Sequence, residues 1–200
     1  MKLRTAILSI SLPVLLVAGG ASFALQGKDK PAPGGAAGAP AQGDNIPEMP
    51  KPGKEHAMLK SRIGTWDAVV NCPMMGEPSK GTETTEAFGD FWTKTTFEGN
   101  FMGQPFKGMS LSGYDPLKQK YITTWCDTMS PTLMVMEGTM DASGKKLTST
   151  GKGPNMMGQV VEHTNVLEIT GPDTATFTMY ETQKGADSPD TMKIEYKRRK

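Results

Sequence analysis

Apolar and polar residues alternate with a period of two along most of the chain after residue 64. Trp66, Ala68 and Val70, for example, alternate with Asp67 and Val69, a pattern typical of strands with one buried face. Turn-forming residues interrupt the alternation at residues 89–90, 100–103, 115–116, 141–144, 171–173 and 184–189. Connections this short require antiparallel neighbours, and a large sheet closes to cover its edges and its apolar face. The sequence therefore predicts an all-β fold, an antiparallel up-and-down barrel of about ten strands, with a sandwich as the alternative.

One short helix and a long unstructured segment are predicted before the first strand. Residues 55–61 contain good helix formers, and Gly64 ends the helix. Residues 25–53 are rich in Pro, Gly and Ala, so they cannot bury enough surface to offset the entropy of ordering. We therefore predict a disordered linker over residues 25–53 and one barrel domain over residues 54–200, long enough to bury a core.

The first 24 residues have the pattern of an export signal. Lys2 and Arg4 precede an apolar run over residues 6–17, and residues 22–24 form a small-x-small cleavage site. A retained membrane anchor is the alternative, but Pro13 interrupts the run, which is shorter than the roughly 20 residues of a spanning helix. We predict a signal peptide over residues 1–24 and an exported protein, periplasmic or secreted, with no stable membrane insertion after cleavage.

The charge and the motifs argue against several classes of function. The chain has 22 Lys and Arg residues against 21 Asp and Glu residues, whereas a nucleic-acid binder needs a basic face to neutralise phosphates. No Gly-x-Ser-x-Gly elbow and no phosphate-binding glycine loop occur in the sequence. The sequence therefore predicts no nucleic-acid partner, no cofactor and no enzyme.

Cys72 and Cys126 are the only cysteines of the chain. Two cysteines of an exported protein most often pair in an oxidising compartment, which favours a disulfide between them. Two separate buried thiols and a metal or redox site are the alternatives.

Methionine and histidine are the other candidate metal ligands. The segment from Cys72 to Met75 would suit Cu(I), which prefers sulfur ligands. However, the 15 methionines are spread over many strands, which favours core or cavity lining. His163 lies in the same strand phase as Val161 and Asn165, and the two histidines of the chain cannot form a three-histidine zinc site. We predict no metal site and a structural, hydrogen-bonded His163.

Two patterns resemble known families. Gly64-Thr65-Trp66, directly after the short helix, resembles the start of a calycin (lipocalin-type) barrel. A longer pattern is similar to the bacterial domain-of-unknown-function family 1579, typical of exported proteins: residues 97–108, Gly113-Tyr114-Asp115, Lys120-Tyr121, Thr124-Trp125, Glu137-Gly138-Thr139 and residues 141–145. The calycin resemblance implies that Trp66 plugs the barrel base under a basic residue of the last strand, Arg198 or Arg199. The family resemblance covers nearly all of residues 55–197 and implies no catalytic or ligand-binding residue.

A barrel of eight to ten strands can hold one small molecule, so the leading hypothesis is an interior that binds a small, largely apolar ligand. The candidate lining residues are aromatic and thioether side chains: Trp92 or Phe91, Phe106 or Met109, Trp125, Met134, Met136 and Phe177. The sequence leaves open which strand phase faces inward. One alternative is a structural or protein-interaction domain of the cell envelope without a ligand. An enzyme of unknown reaction is the weaker alternative.

Overall fold

A computed structural model describes residues 49–200. The predicted signal peptide over residues 1–24 and residues 25–48 of the predicted linker lie outside the described residues. Both stay predictions, as does the start of the barrel domain at residue 54.

Ten strands and one short helix account for most of the described chain. The helix α1 spans His56–Ser61, and a 3-10 turn spans Pro73–Met75. No helix within residues 49–200 is long and apolar enough to cross a membrane. The strands are β1 (Gly64–Asn71), β2 (Ser79–Phe88), β3 (Trp92–Phe101), β4 (Gln104–Asp115), β5 (Lys120–Asp127), β6 (Ser130–Met140), β7 (Lys146–Pro154), β8 (Val160–Gly171), β9 (Thr174–Glu181) and β10 (Met192–Arg198).

The ten strands form a closed barrel. Each strand pairs antiparallel with the next strand along the chain, and β1 pairs with β10. The closing register places Trp66 opposite Arg198 and Val70 opposite Ile194. The predicted all-β, antiparallel up-and-down barrel of about ten strands with one short N-terminal helix is confirmed.

The strand register decides which residues face the interior. Trp66 of β1 lies opposite Glu83 of β2, and Glu83 lies opposite Phe97 of β3. All three point inward, because Trp66 and Phe97 belong to one buried core cluster. Residues directly opposite each other share a face of the sheet, so the same rule places alternate residues of every strand inside.

The helix α1 covers one end of the barrel, here called the α1 end. Met58 and Leu59 of α1 pack against Tyr121 and Leu147, and all four side chains are buried. The Tyr121 hydroxyl donates a hydrogen bond of 2.8 Å to the carbonyl oxygen of Glu55. The helix has only six residues, so its stability depends on this packing rather than on its own hydrogen bonds.

Trp66 occupies the base of the barrel between two arginines. The guanidinium carbons of Arg62 and Arg198 lie 4.0 and 4.1 Å from the centre of the indole ring. The indole Nε1–H donates to the carbonyl oxygen of Arg62 at 2.9 Å. Arg198 also donates to the carbonyl oxygens of Ile63 and Ser61 at 2.6 and 2.7 Å, which ties the last strand to the chain after α1. Cations on an aromatic face stabilise the packing beyond area burial.

Tyr196 makes the fold sensitive to alkaline pH. Burial, followed by the nearby Glu83 carboxylate, raises the pKa of the Tyr196 hydroxyl well above its ordinary value of 10.0. The unfolded chain loses this proton above pH 10, whereas the folded chain keeps it, so the stabilisation is complete below pH 10 and declines above it. We expect urea unfolding to show a free energy of unfolding that falls between about pH 10 and 11.5. The Tyr196→Phe variant should show a smaller fall, and an identical fall would contradict the assignment.

The predicted disulfide between Cys72 and Cys126 is not formed, because both thiols are free in the structure. Cys72 follows β1 in the inward phase of Trp66, and it is buried under the β9–β10 connection, where its Sγ lies 3.7 Å from the carbonyl oxygen of Asp190. Cys126 pairs with Met109 on the outer face of the sheet. The two thiols therefore lie on opposite sides of the barrel wall, and no rotamer can join them.

The two thiols should differ in reactivity. Cys126 is partly exposed on the outer face, whereas Cys72 is only 5% exposed. We expect one thiol per chain to react quickly with a maleimide in the folded protein, and both to react in urea. Peptide mapping should place the fast adduct on Cys126. A denatured protein with no free thiol would contradict the structure.

Candidate functional site

Inward side chains are buried to different extents along the barrel. Near α1, Trp66 and Ala175 are each 2% exposed, whereas Tyr114 and Met140 are only partly buried. Toward the other end, here called the open end, the inward side chains of Trp125 and Met134 are only partly buried, as is Phe177 midway along β9. Because these side chains face the interior, solvent reaches them through the open end.

Six of the eight candidate lining residues face the interior: Phe91, Phe106, Trp125, Met134, Met136 and Phe177. Trp125 lies opposite Met134 and Phe177 lies opposite Ile194, all on the inner face. Phe106 packs against the core cluster, and Met136 lies opposite the inward Thr123 and is 2% exposed. The aromatic residues Phe106 and Trp125 lie together on β4 and β5, whereas Phe177 lies on β9.

The expectation that Trp92 and Met109 line the interior is wrong. Trp92 is 37% exposed on the outer face, and its ring covers Gly113, where a methyl group would lie 2.3 Å from the indole. Its neighbour Phe91 is the residue in the inward phase and contacts His56 of α1, with ring centres 5.5 Å apart. Met109 is 46% exposed and lies opposite the outward Cys126.

Trp125 is held in one orientation by three contacts. Its indole Nε1–H donates to the Asp127 carboxylate at 3.0 Å. The ring of Phe106 stacks on it with centres 6.4 Å apart and planes 22° apart. The indole also lies over Gly108 of the neighbouring strand β4, whose missing side chain makes room for it. The sheet thus presents a rigid aromatic surface, here called the aromatic wall (Phe106 and Trp125).

The space above Gly108 is required by this arrangement. A methyl group on Gly108 would lie 2.2 Å from the Trp125 ring, so the ring must move. We expect Gly108→Ala to lower the free energy of unfolding by about 1 to 3 kcal/mol, the usual cost of overpacking. Urea unfolding followed by circular dichroism measures this, with Lys107→Ala on the exposed face as the control. If Gly108→Ala lowers the free energy of unfolding no more than Lys107→Ala does, the Trp125 ring does not depend on the space above Gly108.

Methionines continue the inner surface beyond the aromatic wall. Methyl groups on Gly151 and Gly153 of β7 would lie 2.6 Å from Met136 Sδ and from Met134 Cε, respectively. The two thioethers therefore lie over glycine backbone and extend from β6 toward β8. Flexible thioether chains suit a surface that adapts to different apolar shapes.

Exposed methionines also surround the open end. This end is formed by the connections over residues 72–78, 102–103, 128–129, 155–159 and 182–191. Four of these five connections carry methionines that are between 52% and 82% exposed: Met74, Met102, Met129, Met156 and Met157. On the connections at the α1 end, Leu117 is 95% exposed and Ile63 is 37% exposed. Apolar exposure on the connections is thus concentrated around the open end.

The sequence did not single out a polar pair on β8 as part of the site. His163 lies opposite Gly151 and Asn165 lies opposite Ser149, so both face the interior beside the methionines. His163 is 5% exposed, and its Nε2 is 3.2 Å from the carbonyl oxygen of Pro154. Its Nδ1 and the Asn165 Oδ1 have no hydrogen-bond partner within residues 49–200. The shared strand phase was visible in the sequence, but the missing partners were not.

A groove of about 360 Å³ lies on the outer surface of the barrel rather than inside it. Its outward side chains belong to β3, β4 and β5 and include Met109, Cys126 and the exposed ion pair of Lys107 with Glu98. A second cavity, of about 10 Å³, lies beneath α1 beside His56 and Phe91.

Within residues 49–200, no three His, Cys, Asp or Glu side chains are placed to hold a metal ion. Hydrogen bonding to Lys118 lowers the pKa of Glu137, and hydrogen bonding to Lys184 lowers the pKa of Asp190. Glu137 is ion-paired with Lys118 on the outer face, whereas Asp190 shares Lys184 with Glu181, which lies opposite the inward His163.

Comparisons with known proteins give one family match. A family model described as "Protein of unknown function (DUF1579)" matches residues 51–198. No curated protein matches the sequence significantly.

Among solved structures, designed β-barrels are similar to this chain at low sequence identity. The redesigned barrel b11L5F_LGL is 10% identical, with a TM-score of 0.41, and covers 72% of this chain and 96% of its own. A de novo designed fluorescence-activating barrel is 15% identical, with a TM-score of 0.42, and covers 70% of this chain and 96% of its own. The redesigned barrel mFAP1, described as bound to DFHBI, is 10% identical, with a TM-score of 0.40, and covers 71% of this chain and 98% of its own.

Proposed function

The chain belongs to the DUF1579 family of proteins of unknown function, and we propose that its barrel binds a small, largely apolar molecule at the open end. The observation that carries this proposal is the partial exposure of inward aromatic and thioether side chains there. Trp125, Met134 and Phe177 remain partly accessible inside the barrel, whereas Trp66 at its base is 2% exposed. When a ligand displaces water from inward-facing apolar surface, the free energy of the system falls, and this favours binding.

Two features of the open end support an apolar ligand. The aromatic wall is fixed before binding by Asp127 and Gly108, so little order has to be gained when a ligand stacks on it. The exposed methionines on the surrounding connections give an approaching apolar molecule a compatible entrance.

We also propose that the protein acts after export, in the periplasm or outside the cell. The charged start, apolar run and small-residue cleavage pattern of residues 1–24 support this location. A binding protein outside the cytoplasm would meet ligands of the envelope or the medium.

The dye N-phenyl-1-naphthylamine, which is uncharged and fluoresces in apolar surroundings, tests the proposed site. We expect the purified protein to bind it and Trp125→Ala to weaken its affinity at least tenfold, about 1.4 kcal/mol. Trp92→Ala is the matched control, because it removes the same side chain from the outer face and should change the affinity less than twofold. No dye binding, or equal losses in both variants, would contradict the proposal.

One observation favours a second candidate, a protein-interaction domain without an interior ligand. The groove of about 360 Å³ beside Met109 and Cys126 offers an apolar surface flanked by charges. Attaching a bulky maleimide to Cys126 in a Cys72→Ala variant blocks this groove and leaves the interior open. Unchanged dye affinity after labelling supports binding in the barrel interior. Loss of dye binding supports the outer groove as the apolar binding surface.

A further inference from the structure

The interior contains two buried hydrogen-bond acceptors that the fold itself leaves unused. His163 and Asn165 occupy alternate positions of β8, both facing inward. His163 Nδ1 and Asn165 Oδ1 are buried and have no hydrogen-bond partner within the described chain. An unpaired buried polar atom costs about 1 to 3 kcal/mol, and a hydrogen bond to a bound molecule removes this cost.

The hydrogen bond at Pro154 determines what His163 offers to the interior. The Pro154 carbonyl oxygen can only accept, so the His163 Nε2 at 3.2 Å carries the proton and donates. In the neutral ring Nδ1 is then an acceptor. The Asn165 Oδ1 is an acceptor as well, and the two positions are about 7 Å apart along the strand.

Polar and apolar groups surround this pair. Glu181 of β9 lies opposite His163, and its carboxylate accepts a hydrogen bond of 2.9 Å from Lys184. Gly151 beside His163 leaves room that Met136 fills, and Met179 and Ser149 lie opposite Asn165 on the neighbouring strands. The aromatic wall lies on β4 and β5, beyond Met134 and Met136 of β6. One side of the interior therefore accepts hydrogen bonds, and the other side offers stacking and thioether contacts.

Resting on the proposed function, we infer that the ligand is amphipathic: an apolar, stackable body that carries a hydroxyl or N–H donor, which is bound by His163 Nδ1 and Asn165 Oδ1. A site built to hydrogen-bond a donor discriminates strongly against an analogue without one, because the buried acceptors are then left unpaired. The interior is thus selective for a donor group and not only for hydrophobicity.

Three naphthalene probes test this inference, with affinity measured by displacement of N-phenyl-1-naphthylamine. 2-Naphthol carries an O–H donor, whereas naphthalene and 2-methoxynaphthalene carry none and are respectively smaller and larger. We expect 2-naphthol to bind at least tenfold more tightly than both. Equal affinities for all three would overturn the inference and leave the proposed function standing. Failure of every probe and of the dye would contradict the proposed function as well.

Two variants assign the preference to the pair. In His163→Gln the amide can still donate to Pro154 but no longer offers Nδ1, so the preference for 2-naphthol should fall to below threefold. The affinity for 2-methoxynaphthalene should stay within twofold, which a general loss of structure would not allow. Asn165→Leu keeps a side chain of similar size but removes the acceptor, so it should partly reduce the preference for 2-naphthol. This variant tests the assignment independently if His163→Gln does not fold. Glu162→Gln, on the exposed outer face of the same strand, is the control. An unchanged preference in both His163→Gln and Asn165→Leu would overturn the assignment.

Discussion

Replacing Trp66 with alanine is expected to lower the free energy of unfolding by about 4 kcal/mol or more. Large aromatic residues in protein cores typically cost about 3 to 5 kcal/mol when replaced by alanine. The indole is 2% exposed, and it is the surface on which the guanidinium groups of Arg62 and Arg198 stack at 4.0 and 4.1 Å. Its loss leaves a cavity and also removes both cation–ring contacts. Domains of this kind are stable by only about 5 to 15 kcal/mol, so the variant should be close to unfolding.

Urea unfolding followed by circular dichroism measures this effect. Trp92→Ala is the control, because it removes the same side chain from the outer face and should cost about 1 kcal/mol, typical of a point mutation outside the core. Trp66→Phe should fall between the two, since it keeps a ring but loses the 2.9 Å hydrogen bond to the carbonyl oxygen of Arg62. Similar losses in the two alanine variants would show that Trp66 does not anchor the barrel base.

Replacing Glu83 with alanine should have an effect of similar size for an electrostatic reason. Arg62 and Glu83 form an ion pair of 2.6 Å whose side chains are only 9% and 12% exposed. Without Glu83 the guanidinium of Arg62 stays buried with no opposite charge, which typically costs about 3 to 5 kcal/mol. The expected readout is a large shift of the urea midpoint at unchanged slope.

An exposed ion pair of nearly the same length serves as the matched control. Lys107 and Glu98 lie 2.7 Å apart, but their side chains are 67% and 64% exposed. Glu98→Ala should therefore change the free energy of unfolding by less than about 1 kcal/mol. If Glu83→Ala costs no more than Glu98→Ala, burial of the pair is not what stabilises the base.

The alternation of residue types was sufficient to predict the barrel, because period two and short turns allow few other arrangements. It was less reliable for individual faces where two aromatic residues are adjacent. Phe91 and Trp92 follow a turn, and only the pairing of Trp92 with Gly113 shows which one points outward. The outward position of Cys126 follows once the register shows that Trp125 faces inward, since the two residues are consecutive in a strand and must face opposite sides.

The polar part of the candidate site could not be predicted in the same way. The inward phase of His163 follows from alternation, but its free Nδ1 depends on a hydrogen bond to Pro154. The tilt of Trp125 depends similarly on Asp127 and on the space over Gly108. These contacts join side chains that are distant in the sequence, so they can be predicted only when the pairing register of the strands is known.

The pairing of β1 with β10 sets an order on the assembly of the molecule. Every other ladder joins strands that follow each other in the chain, so each hairpin can form as soon as its residues are available. The closing ladder brings together distant residues such as Asp67 and Arg199, which are 132 positions apart. Until the last strand arrives, β1 and β9 remain edges with unpaired backbone groups that can template association between chains. A chain cut short before residue 192 would keep both edges permanently, and time spent waiting for the C-terminus is the period in which this fold is exposed to aggregation.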